Sequence, residues 1–353
     1  MKPPPWLCYL VSRNPLMGGE YYRATRPAAL LSRNFGWGTA VSDRMGTVED
    51  GGRLSFLTPD NMIVTPNIII LRPIREWTQE WTDQAHANGQ MVVADIDDDV
   101  WAHEDWEFGE RPNDDHFDDW FWGVDAVLVS TLYLKKKLIE RGHKAPIYIA
   151  PNCYDPYGLQ MDAQPGRTIG TRLWLSGRME GDLEMYDELI QPLLEELDLT
   201  FLHVGAEDGH RFTDRGWNSD RLFESGSVPI PLLPQALANL SIGAICMSDH
   251  PYNLAKTETH AAELAGLGVP LVAISNHKLY RNIPGRVDPS GVRERVRNLL
   301  NPTYWASESE RTKAWARQIA IENESAHMNA LLSLLDVLYF REVNDTRVVY
   351  GAG

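Results

Sequence analysis

Short runs that are apolar on both faces, each followed by an amphipathic helical pattern, constrain this chain more than any single motif. "WLCYLV" (6–11), "NIIIL" (67–71), "QMVVADI" (90–96), "DAVLVS" (125–130) and "PIYIA" (146–150) show no polar alternation. A strand with no polar face belongs in a parallel sheet covered on both sides. Between these runs lie "REWTQEWTDQAHANG" and "TLYLKKKLIERG", each with helical periodicity and a closing Gly that suits a helix carboxyl end. Repeated βα units of this kind predict a doubly wound sheet.

The pattern pauses at "PNCYDPYGLQMDAQPGRTIG" (151–170), where Pro, Gly, Asp and Asn cluster as in a linker. It resumes with "RLWLSG", "LTFLHVG", "LSIGAICM" and "VPLVAIS" as strands, and the chain reads as helical from Tyr304 to about Phe340. At 353 residues the chain exceeds what one core organises. The expected fold is α/β: two Rossmann-like, doubly wound parallel-sheet domains facing across a cleft. The expected divisions are 1–160, 161–322, and a final helical segment, 323–353, that returns to the first domain.

Composition removes several classes of function. A net charge of -16 argues against a surface built mainly for polyanions, although a local basic patch remains compatible with it. Three scattered cysteines, Cys8, Cys153 and Cys246, form neither a disulfide framework nor a zinc spacing. The start has three prolines and no small-residue cleavage site, and no apolar run approaches a membrane span. A cytoplasmic protein without a transmembrane segment is expected.

In open α/β sheets ligands bind beyond the carboxyl ends of the strands. That rule selects the loops 12–19, 97–101, 176–182 and 249–256. The last leads into "MSDHPYNLAKTETHAAELAGLGVPLVA" (247–273), where Lys256, His260 and Glu263 stand four and three residues apart. On an ideal helix they share one face near its amino end, where free N–H groups and the macrodipole favour phosphate. Lys256 adds a full positive charge, and Glu263 can accept both hydroxyls of a ribose. The alternative is a solvated helix face with an incidental Lys and Glu.

This segment, "YNLAKTETHAAELAGLGVPLVA", resembles the donor-nucleotide segment of two-lobed glycosyltransferases of fold type B (GT-B), close to glycosyltransferase family 4. "GGEYYRATRPAALL" (18–31), "VVADIDDDVW" (92–101), "DAVLVSTLYLKKKL" (125–138), "YIAPNCYD", "LWLSGRMEGDL", "NHKLYRNI" and "RVRNLL" resemble further landmarks in the same order. Phage and bacterial enzymes are the nearest likeness.

The resemblance implies that Glu263 holds the ribose, while Lys256 and Arg178, after Ser176 and Gly177, hold the diphosphate. Asn253, Thr257 and Glu258 would complete the donor site, since Ala255 replaces a glutamate common in family 4. Gly18 and Gly19 would allow close backbone approach to the donor. Arg23, followed by Arg26, would face the diphosphate or an acidic acceptor.

The run Asp97, Asp98 and Asp99 contains the Asp-x-Asp of metal-dependent transferases of the other fold type, but a type B enzyme offsets diphosphate charge with cations and helix dipoles. No metal and no tightly bound cofactor are therefore expected. Asp97 and Asp99 would touch the acceptor and Asp98 would act in catalysis; helix capping explains such a run equally well. His103, in the aromatic and acidic stretch "WAHEDWEFGERPNDDHFDDWFWG", would border the acceptor, and the same aromatics suit simple packing.

The expected activity is glycosyl transfer from a nucleotide-diphosphate sugar, with retention of configuration, to a protein, glycan, lipid or nucleic-acid acceptor. A sugar-nucleotide epimerase, a phosphorylase and a non-catalytic nucleotide-sugar-binding protein are the alternatives.

Overall fold

A computed structural model describes residues 5–11, 14–44, 47–48, 52–72, 77–99, 101–102, 120–155, 163–172, 180–205, 211–275 and 282–341. The chain forms two compact units. The first holds the described residues of 5–101, 120–153 and 323–341, and the second Ala102 and those of 154–322.

In the first unit, β1 (Trp6–Leu10), β2 (Gly38–Ser42), β6 (Ile68–Leu71), β7 (Met91–Ile96), β8 (Ala126–Val129) and β9 (Ile147–Ile149) form one parallel sheet in the order β2-β1-β6-β7-β8-β9. The five apolar runs read from sequence become β1, β6, β7, β8 and β9. β2, "GTAVS", was not among them, because an edge strand with Gly, Thr and Ser lacks the apolar signature. β3 (Thr47–Val48), β4 (Leu54–Leu57) and β5 (Ile63–Val64) add a small antiparallel sheet that the sequence reading did not contain.

The helices Gln79–Ala87 and Leu132–Glu140 each end just before a glycine in the left-handed region, Gly89 and Gly142. The unit's core joins Leu7, Tyr9, Ile68, Ile70, Val93 and Leu128 to Met328, Leu331, Leu334 and Leu335 from the segment after Asn323.

In the second unit, β10 (Thr168–Arg172), β11 (Thr200–Val204), β12 (Leu222–Ser225), β13 (Ile242–Met247) and β14 (Leu271–Ser275) form a parallel sheet in the order β12-β11-β10-β13-β14. The helix Glu180–Leu189 packs through Leu183 and Tyr186 onto a core that includes Ile169, Phe201, Ile242 and Val272. Trp305, near the start of the long helix Pro302–Leu335, donates its indole N–H to the Ser241 carbonyl at 2.6 Å.

One strand is displaced from its expected place. The apolar run starts at Arg172, whereas β10 ends there; 173–179 lie outside the described residues. Close approach between strands explains why β10 reads as linker. A Cβ on Gly170 would stand 2.1 Å from the Leu202 carbonyl oxygen, so this position takes no side chain and contributes no apolar signal.

Among the described residues no helix is long and apolar enough to cross a membrane, and no group of His, Cys, Asp and Glu is arranged to hold a metal ion.

Candidate functional site

Each sheet reverses its winding once, and ligands in doubly wound folds sit outside the carboxyl ends of strands at such a point. In the first unit the chain passes from β1 to β2 on one side and resumes with β6 on the other, so the crevice opens between β1 and β6. Arg72 directly follows β6 there. Its guanidinium bonds to Asp97 at 2.7 Å, to Glu20 at 3.2 Å and to the Asp95 carbonyl at 3.2 Å. Burial favours loss of its proton, but Asp97, Glu20 and Asp95 hold its pKa above the usual value.

Gly19 makes room for this group: an added Cβ would lie 3.2 Å from Asp97 Oδ2 and 3.3 Å from Arg72 Nη2. Gly18 beside it has φ of +32°. The structure thus brings Gly18, Gly19 and Asp97 together around Arg72, a residue the sequence reading passed over. Its signal was its place, one residue beyond "NIIIL" at a strand's carboxyl end.

Two expected acceptor residues have other work. Arg23 is 0 % exposed and forms an ion pair with Asp95, while also donating to the Ala150 carbonyl. A guanidinium so enclosed holds the start of the first helix to β7 and is not presented to a ligand. Asp99 is likewise buried, pairing with Lys137, accepting from the Tyr133 hydroxyl at 3.4 Å and from the Trp101 N–H at 3.2 Å. It ties the helix Leu132–Glu140 to the turn after β7. Asp98 lies half-buried between Asp97 and Asp99. His103 lies outside the described residues.

In the second unit the reversal falls between β10 and β13. Arg172 closes β10 and donates to Glu263 Oε2 at 3.1 Å; both side chains are buried. His260 Nδ1 lies 3.6 Å from the same oxygen. Burial, and then the Glu263 charge, push the Tyr154 phenol well above its usual pKa. Glu263 is therefore fully buried among polar partners of its own unit.

Beyond β13 the chain turns on Asp182, buried in the first turn of the helix Glu180–Leu189. One carboxylate oxygen accepts from the Ser248 N–H and the Ser248 hydroxyl, each at 2.6 Å, and from the Asn253 amide at 2.9 Å. Asn253 also donates to the Ser248 carbonyl at 3.1 Å. The loop is thus fixed from below by a residue that sequence reasoning included only as the end of the loop 176–182.

The expected single helix face carrying Lys256, His260 and Glu263 is corrected. A 3-10 turn, Pro251–Ala255, precedes Lys256, and the helix starts only at Thr259 and ends at Gly266. Pro251 initiates the tighter turn, and Lys256 is extended, with φ of -66° and ψ of 148°. His260 and Glu263 remain on the helix. The Lys256 ammonium donates to the Tyr252 hydroxyl at 3.0 Å and sits 4.3 Å from that ring's centroid. Glu258 occupies the helix N-cap position, and Thr257 shares a 2.7 Å hydrogen bond with Thr259. Ser176, Gly177 and Arg178 lie outside the described residues.

No protein-family model and no curated protein sequence matches the chain. Solved structures do match it. TarM aligns with 81% of this chain and 62% of its own length at a TM-score of 0.57 and 10% identity. The pneumococcal O-GlcNAc transferase GtfA, in complex with UDP and GlcNAc, aligns with 77% of this chain at a TM-score of 0.52 and 16% identity. Sucrose-phosphate synthase from Thermosynechococcus elongatus aligns with 99% of this chain at a TM-score of 0.57 and 11% identity. The chain spans 62% of TarM and 57% of GtfA, but 100% of the sucrose-phosphate synthase. The fold is that of GT-B glycosyltransferases.

Proposed function

We propose that this chain is a glycosyltransferase, similar to family 4 and of phage or bacterial type, that moves a sugar from a nucleotide-diphosphate sugar to an acceptor with retention of configuration. The observation that carries the reading is the placement of Glu263. It is a buried carboxylate at the switch point of the second sheet, matched by Arg172 and reached from a loop bearing Lys256. GtfA, of the same fold, is described with UDP and GlcNAc.

As the bond to the sugar breaks, negative charge grows on the leaving diphosphate, and fixed cations and N–H dipoles aimed at it lower the barrier. Lys256 and the amino-terminal dipole of the helix Thr259–Gly266 are the described features suited to this role. The Tyr252 hydroxyl is a neutral partner for the Lys256 ammonium, and a diphosphate would offer it charge-assisted contacts in its place. Arg178 is assigned to the same diphosphate through the family resemblance. Glu263 is assigned to the ribose. Its burial against Arg172 means that this contact requires a rearrangement that exposes the carboxylate, a gating step of the kind many enzymes use. Around Arg72, Asp97 would border the acceptor, and the Gly18–Gly19 turn would let the donor approach the backbone closely. The reaction as proposed needs no resident metal.

A thermal-shift panel of uridine, guanosine, adenosine and thymidine diphosphate sugars tests this reading, because a ligand that binds the folded state raises Tm. One nucleotide class should stabilise the wild type, and Lys256→Ala should weaken that binding about tenfold or more, with the ligand-free Tm little changed. Lys256 suits the test better than Glu263, whose removal would leave Arg172 buried and unpaired. A folded wild type that responds to none of the four, or a Lys256→Ala variant that responds like wild type, refutes the assignment.

A further inference from the structure

The helix Leu132–Glu140 in the first unit carries a charge pattern unlike the rest of the chain. Four of the chain's eight lysines, Lys135, Lys136, Lys137 and Lys144, lie within ten residues, although the whole chain carries a charge of -16. Arg141 adds to them, against the single acid Glu140. Lys137 turns inward to Asp99. Lys136 and Lys144 are exposed and Lys135 partly so.

The same surface also exposes large apolar side chains. Leu134 and Leu138 face the core, which leaves Leu132, Lys136 and Ile139, at positions i, i+4 and i+7, along the opposite ridge. Leu132 is 55% exposed and Ile139 56% exposed. At the helix's carboxyl end Trp122, 42% exposed, packs its ring 5.2 Å from that of His143, whose N–H bonds to the Leu138 carbonyl. An aliphatic ridge flanked by lysines, with an indole beside it, matches the chemistry of a membrane interface: aliphatic groups enter the acyl boundary and ammonium groups meet headgroups. A nucleic-acid face would call for cations and stacking rings without an exposed aliphatic ridge.

We propose that this face docks on an anionic lipid bilayer, with Leu132, Ile139 and Trp122 entering the interface and Lys135, Lys136 and Lys144 meeting the headgroups. Salt screens charges beyond about 8 Å at physiological ionic strength, so the attraction is set by the charges local to this face and not by the net charge of the whole chain. The docking is reversible, because no single apolar group here buries enough surface to anchor the chain. It would bring the first unit to membrane-borne acceptors, and it does not depend on the donor assignment.

The test uses the full chain without nucleotide, floated with vesicles of phosphatidylcholine alone or mixed with phosphatidylglycerol. Binding is expected only to the mixed vesicles and should weaken with salt. Each lysine near an anionic surface contributes about fivefold to partitioning, so combining Lys135→Glu, Lys136→Glu and Lys144→Glu should cost on the order of 100-fold or more. Combining Leu132→Ser with Ile139→Ser should also release the protein while keeping the charges, which covers the case of a charge-reversed variant that misfolds. No binding to mixed vesicles, or binding unchanged in both combined variants, overturns the proposal. So does retention of the wild type by a DNA duplex in the absence of vesicle binding.

Discussion

The two switch points are built alike and held differently. Each places an arginine at the carboxyl end of a strand, Arg72 after β6 and Arg172 at the end of β10, and each gives it a carboxylate from a helix or its approach. In the first unit the surroundings are charged throughout: Glu20, Asp97, Asp95 and Arg23 form a chain of ion pairs in which one group's partner is the next group's neighbour. In the second unit the loop after β13 is fixed by hydrogen bonds, with Ser248 and Asn253 on Asp182, and Lys256 rests on a phenol. Breaking charge pairs in a buried site carries a large penalty, whereas neutral donors exchange partners at modest cost. The first site is therefore a rigid floor, and in the second it is the loop after β13, not the buried Arg172–Glu263 pair, that is able to rearrange around a charged ligand.

The largest expected effect follows from removing the deepest pair. Arg23→Ala leaves Asp95 buried without its main cation and should cost about 3–5 kcal/mol of stability. Hydrogen exchange read by mass spectrometry can resolve where that loss falls. Faster exchange confined to β1, β7 and the segment 18–35, with peptides of the second unit unchanged, supports the distinction. Equal loosening of both units would erase it.

Acid should separate the units next. His327, buried in the first unit, donates from Nδ1 to the Pro151 carbonyl at 2.6 Å; burial, and then the Arg23 charge, lower its pKa to about 3. Its unfolded form binds a proton near pH 6.5, so stability present above that pH is lost as pH falls toward 3. The loss should reach about 2 kcal/mol by pH 5. His143, also lowered, chiefly by burial, acts in the same direction.

In the second unit Glu224 responds later. Burial would raise its pKa, but hydrogen bonds from His203, Thr213 and the Phe212 and Thr213 amides hold it at about 2. Its contribution is complete above the usual carboxylate pKa and is lost as pH falls from there through 2. Between pH 6.5 and 5 the first unit should weaken while these carboxylate contacts remain intact. His327→Gln should flatten much of that slope; an unchanged slope in the variant would assign the acid response elsewhere.

The sheets were legible wherever burial on both faces left no polar residue, as in β6, β8 and β13, or only one, Asp95 in β7. β2 and β12 were not, because an edge strand such as "LFES" mixes exposed and buried positions. The site was legible in part. Glu263, Asn253, Gly19 and Asp97 do stand at carboxyl ends of strands, since the strand-end rule depends only on strand positions. Arg172 escaped because Gly170 hid β10 and so placed the arginine at the start of a strand. Arg23 and Asp99 misled for another reason: a charge buried against its partner has the same letter as a charge offered to a ligand. Only the fold tells them apart.

The smallest effects lie in the glycine pair. Gly18 has φ of +32°, so Gly18→Ala places a side chain in the left-handed region and should cost about 1 kcal/mol. At Gly19 two effects oppose each other. An alanine gains up to about 1 kcal/mol in helix propensity, while its Cβ crowds Asp97 and Arg72 at 3.2 Å and 3.3 Å. The net change in Gly19→Ala should stay within about 1 kcal/mol, because shifts of a few tenths of an ångström relieve such contacts. Chemical denaturation of both variants measures the pair. If Gly19→Ala proves the more damaging, the Arg72 and Asp97 side chains cannot yield, and the first site is stiffer than its ion pairs alone require.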